Sequence, residues 1–386
     1  MSQKEKYKDV ALKILSPIKS VDNIHYEDII FNSQRSLAGQ KLPEYFLIYF
    51  LLSDLLGFKN LGQFEKIAWS FPVEYKGKLF LIDYRKFGVG VFVKDKVNDE
   101  KDAEEITKKI NGAVKSVRQF YDLIAEDAVN NSKFNIINNN QDLYQRFEYL
   151  LKLYKKEYRK FIKNKDNIKI KENVNKYGKS TTYTKIGLKY YQKSNWIAIS
   201  CIEAFFSWTE HLFIHLAVID QNLSNGHEVS NLIEAEWRVK FKAAIKDNSK
   251  LTIKFYDELL IVRQQLRNFV AHGAFGKNGN AFRFHSGTGS VPVLMNHKRQ
   301  KNRFSLNGNL SFKEEEVIKL IEDFIIHIWK SDLNPSLYYT QKCGLPTILT
   351  YAADGTYSTM TININIMKGF VNKLVYEMDN SSNMDW

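Results

Sequence analysis

Apolar positions recur along this chain in different rhythms, and these divide it before any single residue is considered. Short apolar runs at Phe71 to Tyr75, Leu79 to Tyr84 and Val89 to Val93 are separated by Lys76-Gly77-Lys78 and by Gly88. Such runs with short connections predict an antiparallel meander. Tyr45 to Leu56 is a compact apolar run ending at Gly57 and reads as a buried helix, with Leu61 to Trp69 as a second short one. From about Asp102 to Val129 the period becomes 3.6, with Ile106, Ile110, Val114, Val117, Tyr121 and Ile124 marking one face, so a long helix is expected to cover the small sheet.

Asn130 to Asn140 is rich in Asn and lacks sustained periodicity, which places the main linker there. A basic amphipathic helix follows, with Leu143, Phe147, Leu150, Tyr154, Tyr158 and Phe161 at helical spacing; past Lys163 the pattern dissolves into a basic loop until about Thr184. Three long helices are then expected, at Lys185 to Ile219, Leu251 to His272 and Ser311 to Trp329. The last opens on Ser311 and Glu314, a capping-box pair ahead of Val317, Ile321, Phe324 and Ile328. Helices of this length in succession predict an antiparallel bundle. Beyond Tyr338, Pro346 to Ala352 and Thr356 to Ile364 flank the Asp354-Gly355 turn and read as a β-hairpin.

The expected fold class is therefore α+β, with a small N-terminal antiparallel sheet and helices, then a C-terminal antiparallel helical bundle followed by a β-hairpin. The expected divisions are an α+β domain at 1–135, a basic helical connector at 136–184, the bundle at 185–335 and a hairpin extension at 336–386.

Composition sharpens this picture. At 386 residues, 44% hydrophobic and 26% charged, the chain has the makeup of a water-soluble globular protein of at least two domains. Met1 to Asp9 is polar and no signal peptide is read there; the apolar stretch Trp196 to Ile219 contains Glu203, Glu210, His211 and His215, which favours a buried helix over a membrane span. Two cysteines, Cys201 and Cys343, supply neither a disulfide framework nor a thiolate metal site, and a reducing cytoplasm is the expected compartment. The net charge is +13, and between Leu151 and Lys193 14 Lys or Arg stand against Glu157, Asp166 and Glu172. A polyanion, RNA above all, is the expected partner, with no membrane.

The chemistry concentrates in Arg267-Asn268-Phe269-Val270-Ala271-His272-Gly273. A permanently cationic fork suits phosphate oxygens, and a nearby imidazole can give and take protons near neutral pH. RNA cleavage needs both: the 2′-hydroxyl loses a proton, the 5′-oxygen gains one, and the charge on the phosphorane-like transition state is stabilised, with no metal required. Asn268, four residues before His272, shares its helical face and could orient the ring.

This string, preceded by a long apolar helix carrying Glu203 and Glu210, resembles the R-x(4–6)-H signature of HEPN-domain proteins. The resemblance covers about Lys185 to Ser331 and implies an all-α bundle acting as a metal-independent endoribonuclease of the prokaryotic toxin or antiphage type. It implies His272 as acid and base, Arg267 on the scissile phosphate, Asn268 as positioning residue, a 2′,3′-cyclic phosphate product, no cofactor, and an antitoxin or regulatory partner. Arg267 and His272 are about 140° apart around a helix, so a homodimer that pairs motifs across a two-fold axis is expected.

Other readings compete. Gly273 would equally serve as an ordinary helix C′ residue. Ser200, Glu203, Ser207 and Glu210 form one polar stripe, which either faces Arg263 and Arg267 or is the solvent edge of the bundle. His211 and His215 have the spacing of a helical metal pair, with Glu210 or His227 as a further ligand, yet no H-E-x-x-H string occurs. Gly273 to Ser311 has no acidic residue, and Lys277, Arg283, Lys298, Arg299, Lys301 and Arg303 interleave with Phe275, Phe282 and Phe284. That segment reads as an RNA clamp, or as a solvated hairpin of Phe282 to His285 with Val291 to Leu294. Glu65, Glu74, Asp83 and Lys86 resemble a metal-dependent PD-(D/E)xK nuclease layout, departing from it at Asp83-Tyr84-Arg85. A catalytically inert nucleic-acid-binding scaffold is the main alternative to the ribonuclease.

Overall fold

The computed structural model describes residues 3–21, 32–176, 178–271, 280–295, 304–305 and 313–385, with the backbone alone at 175, 265, 267–271, 280–282, 292, 294–295 and 304–305. It is mixed α+β and divides into two compact units, Met1–Asn130 with Asn372–Trp386, and Asn131–Val371.

In the first unit, α1 (Gln3–Leu15) precedes β1 (Lys19–Ser20), β2 (Gln34–Arg35), α2 (Tyr45–Tyr49), β3 (Ile67–Tyr75), β4 (Lys78–Arg85), β5 (Gly88–Val93), α3 (Glu100–Ser116) and α4 (Arg118–Asn130). The strands form one antiparallel sheet in the order β1-β3-β4-β5-β2. The expected meander is present, and its first turn works because Lys76 and Gly77 both take positive φ, 52° and 76°, which matches the twist of a two-residue hairpin. Ala103, Ile106, Ile110, Ala113 and Val114 of α3 are buried together with Phe71, Val73, Ile82 and Val91 of the sheet.

Three local expectations change here. The apolar run from Tyr45 is helical, but its second half, Phe50–Leu55, is a π-helix before the left-handed Gly57. Leu61 to Trp69 is not a helix. Gly62 and Lys66 are left-handed, which breaks a right-handed helix, and Asn60 Oδ1 accepts from the backbone N–H of Gly62 and Ser70, so the chain enters β3 already at Ile67. The expected single helix from Asp102 to Val129 breaks at Val117, where the Ser116 hydroxyl donates back to the Ala113 carbonyl.

The second unit contains β6 (Asn135–Ile136), α5 (Asn140–Asn164), β7 (Ile168–Asn175), β8 (Gly178–Lys185), α6 (Gly187–Gln221), α7 (Gly226–Glu234), α8 (Trp237–Ala244), α9 (Lys250–Ala271), β9 (Asn280–Ser286), β10 (Gly289–Met295), β11 (Phe304–Ser305) and α10 (Glu314–Lys330). Then come α11 (Asn334–Leu337), β12 (Thr347–Ile348), α12 (Leu349–Ala353), α13 (Thr356–Met360) and α14 (Ile364–Asn383), whose residues from 372 count with the first unit.

Four long helices, α5, α6, α9 and α10, share one core built on Phe147, Phe205, Trp208, Leu259, Val262 and Phe324. The basic segment expected as a connector thus supplies the fourth helix of the bundle. Phe147 meets Phe205 and Phe161 meets Tyr191, so α5 and α6 are antiparallel. At their junction a Cβ on Gly187 would lie 2.9 Å from the Asn164 carbonyl oxygen, a close approach that explains glycine there. Arg263 meets Glu210 while Thr252 and Asp220 line one pocket, so α9 also runs against α6. Phe255 meets Phe324 and Thr252 meets His327, so α10 runs against α9. The end of α5 and the start of α6 therefore lie together at one pole of the bundle, while the end of α9 points the same way but reaches only the middle of α6. The apolar helix α6 is long enough to cross a membrane, yet most of its apolar side chains fill this core.

The start of α10 lies at Glu314 with Lys313 as its N-cap; Ser311, expected as the cap, is outside the described residues. The basic stretch after Lys163 is a hairpin, β7 with β8, not an irregular loop. The hairpin expected from Pro346 to Ile364 is helical apart from Thr347–Ile348, which pairs with β6. Tyr357, fully buried against Tyr339, Tyr351 and Phe370, outweighs the strand propensity of its Thr-rich neighbours. The hairpin that this half of the chain forms near its motif is β9 with β10, pairing Phe282 with Val293 and Phe284 with Val291.

Candidate functional site

Helix α9 carries the motif at its C-terminal end. Arg267 and Asn268 lie in its last two turns, and the helix extends to Ala271. His272 is outside the described residues, as are Lys277, Lys298, Arg299, Lys301 and Arg303; Arg283 lies exposed on β9 beside the half-exposed Phe284.

One turn before Arg267, the guanidinium of Arg263 donates to Glu210 of α6 across 2.6 Å and lies 5.1 Å from the centre of the Phe206 ring. The other oxygen of Glu210 is 3.7 Å from Nζ of Lys240, whose side chain is only 7% exposed. One carboxylate thus faces two cations, one from α9 and one from α8. The expected pairing of the polar stripe with the motif helix holds at Glu210 and Arg263. Glu203 and Ser200 are exposed, so the first half of the stripe is an outer edge. Lys240 was not anticipated, because its helix lacks any strong sequence signal; its spacing from the apolar Trp237 and Phe241 was the one clue.

His211 and His215 are joined to each other rather than poised for an ion. The Asn139 N–H donates to Nε2 of His211, so that nitrogen is bare, and Nε2–H of His215 donates to it across 3.0 Å. Nδ1 of His215 then accepts from the Thr347 hydroxyl at 2.6 Å. Burial pushes the His215 imidazole down to about 3, with the neighbouring His211 adding to the effect, and burial also lowers His211. Both rings are therefore neutral struts that tie α6 to the β6 and β12 ends. His227 sits exposed in the first turn of α7, and no group of three metal-ligating side chains assembles among the described residues.

Nor do the carboxylates of the rival N-terminal site come together. Asp83 is fully buried, accepting from Ser70 at 2.6 Å and from Arg85 at 2.7 and 2.9 Å, and burial raises its carboxyl above the usual range against the pull of Arg85. Asp83 faces Ser70 in the ladder whereas Glu74 faces Leu79, and Glu65, Glu74 and Lys86 are exposed. Arg85 occupies the carboxylate that a magnesium-dependent layout would leave for metal.

At the opposite pole of the bundle, Asp220, Asp247, Thr252 and His327 line a cavity of about 700 Å³. Thr252 donates to Asp247 and receives Nε2 of His327 at 2.7 Å, while the Ser249 hydroxyl accepts from the Thr252 N–H. This is the N-terminal cap of α9 braced by α10. Asp220 accepts from Ser336 at 2.7 Å, and burial pushes its carboxyl up to about 7. The thiol of Cys201 is buried and pushed up to about 12, which leaves it inert near neutral pH.

The chain matches no family model, no curated protein and no solved structure.

Proposed function

We propose that this protein is a metal-independent endoribonuclease of the HEPN type, with its catalytic motif at the C-terminal end of α9. The supporting observation is the Glu210–Arg263 pair, which couples the long apolar helix to the motif helix one turn before Arg267. The coupling turns that end of α9 toward the half of the bundle where α6 begins, and the segment that continues from it, Gly273 to Ser311, is basic and free of carboxylates. In this reading Arg267 holds the scissile phosphate and neutralises its developing charge, His272 moves the protons, and Asn268 positions substrate or ring. Lys277, Arg283, Lys298, Arg299, Lys301 and Arg303 bind the RNA backbone. The N-terminal α+β unit is the sensing or regulatory part, and a toxin or antiphage role fits the motif.

The deciding experiment incubates wild type, His272→Ala and Arg267→Ala with RNA in EDTA. Cleavage by wild type, reduced on the order of 10²- to 10⁴-fold in His272→Ala with unchanged circular dichroism, supports the enzyme. Tight binding without cleavage by any of the three identifies an inert nucleic-acid-binding scaffold instead.

A further inference from the structure

The ribbon formed by β7 and β8 has no core of its own: every residue of both strands whose side chain is described is exposed. Two-stranded ribbons of this kind are marginal in water unless something covers them. The register places Ile168, Ile170 and Val174 with Tyr183 on one face, 53%, 59%, 77% and 68% exposed, and Lys169, Lys171 and Asn173 with Thr182 and Thr184 on the other.

At the foot of the ribbon an open groove of about 600 Å³ is lined by Lys169, Tyr183, Thr184, Lys185, Lys189 and Gln192, together with two apolar residues and no carboxylate. Among the described residues no acid pairs with these three lysines; Glu172, the ribbon's acid, is taken by Lys179 at 2.9 Å. Three cations with no acid partner, of which Lys189 lies over the Tyr190 ring at 4.8 Å, amide and hydroxyl donors and an exposed aromatic ring are the chemistry of a sugar-phosphate backbone with an unstacked base.

We infer that this ribbon and groove form a second, distal binding site for single-stranded RNA, with Lys169, Lys185 and Lys189 on phosphates and Tyr183 stacking on a base. The inference rests on the nuclease reading only for its geometry. Because α6 and α9 are antiparallel and Arg263 is level with Glu210, Arg267 is level with Phe206, 19 residues along α6 from Gly187. At 1.5 Å per residue that is roughly 28 Å, which a stacked strand at about 3.4 Å per nucleotide spans with about eight nucleotides. A long RNA reaches both sites, and a tetranucleotide reaches one.

The test uses the full chain and labelled 2′-O-methyl oligouridylates of 20 and 4 nucleotides, which lack the attacking hydroxyl and cannot be cut, with binding read by fluorescence anisotropy. Wild type should bind the 20-mer far more tightly than the 4-mer. The triple variant Lys169→Gln, Lys185→Gln, Lys189→Gln should reduce that advantage at least tenfold and lower the slope of log K against log salt by about two, at about 0.7 per phosphate neutralised. Tyr183→Ala should weaken the 20-mer between about fivefold and a hundredfold. These positions are exposed, so circular dichroism should not move. A 20-mer whose affinity and salt slope are the same in wild type and the triple variant overturns the site and leaves the ribbon to a protein partner. Ribbon-dependent binding by a chain that cleaves no RNA would end the nuclease reading and leave this site standing.

Discussion

Glu210 and Arg263 are joined by a 2.6 Å ion pair between α6 and α9, and the buried ammonium of Lys240 lies 3.7 Å from the other oxygen of the same carboxylate. The arrangement is asymmetric, since Arg263 is 36% exposed and Lys240 only 7%. Removing the acid strands a buried cation; removing Arg263 leaves Glu210 still compensated. Glu210→Gln should therefore cost about 2–3 kcal/mol and Arg263→Gln only about 1 kcal/mol in urea unfolding. Equal losses, or the reverse order, would remove Lys240 from the account. Both variants should also slow RNA cleavage, because α9 carries the motif and small displacements of reacting groups are costly.

The active species should be a dimer in which motifs from two chains complete one site. Excess His272→Ala mixed with wild type under conditions of subunit exchange should depress wild-type turnover below simple dilution, and sedimentation should show two chains per particle. A fully active monomer at high dilution would sink the composite site.

The His211–His215 pair sets an acid limit on stability. The folded value of His215, about 3, lies below the ordinary 6.5, so its contribution is fully present above about pH 6.5 and is lost as pH falls from there toward 3. Unfolding free energy should decline from pH 7 to pH 5 by up to about 1.4 kcal/mol per pH unit from this ring alone. In His215→Gln the decline should be shallower, from a starting stability lowered by roughly 1–3 kcal/mol through loss of the Thr347 bond. Parallel pH profiles would contradict a buried neutral ring.

Asp220 acts in the opposite sense. Its folded value is raised to about 7 from the ordinary 3.8, so its favourable contribution is complete below about pH 4 and is lost as pH rises toward 7. Against Asp220→Asn, wild type should lose on the order of 2–4 kcal/mol of relative stability between pH 4 and pH 7. A difference between the two proteins that does not vary with pH would mean that this carboxyl titrates normally.

Much of the fold could be read from local pattern. The meander from Phe71 to Val93 was legible because its strands are compact apolar runs and because Lys76-Gly77 and Gly88 supply the backbone its turns need. The long apolar helix was legible through its length and near-continuous apolar character, and the Glu210–Arg263 pair through the placing of acids on that helix opposite the motif helix. The β7–β8 ribbon was missed because it buries neither face, so no hydrophobic rhythm announces it. Lys240 was missed because the short helix that carries it has no strong sequence signal.

The sequence by itself determined the long helices and the strands of the meander, the excess of positive charge, and a motif whose residue types fit phosphate and proton chemistry. Tertiary structure alone decided that Asn140–Asn164 is the fourth helix of the bundle, that Asn135–Ile136 pairs with Thr347–Ile348 across more than two hundred residues, and that Thr356–Met360 coils into a helix around Tyr357. At Thr356–Met360 burial against distant partners outweighed local propensity: strand and helix preferences differ by about 1 kcal/mol per residue or less, whereas burying a large aromatic side chain such as Tyr357 is worth about 1.5–3 kcal/mol.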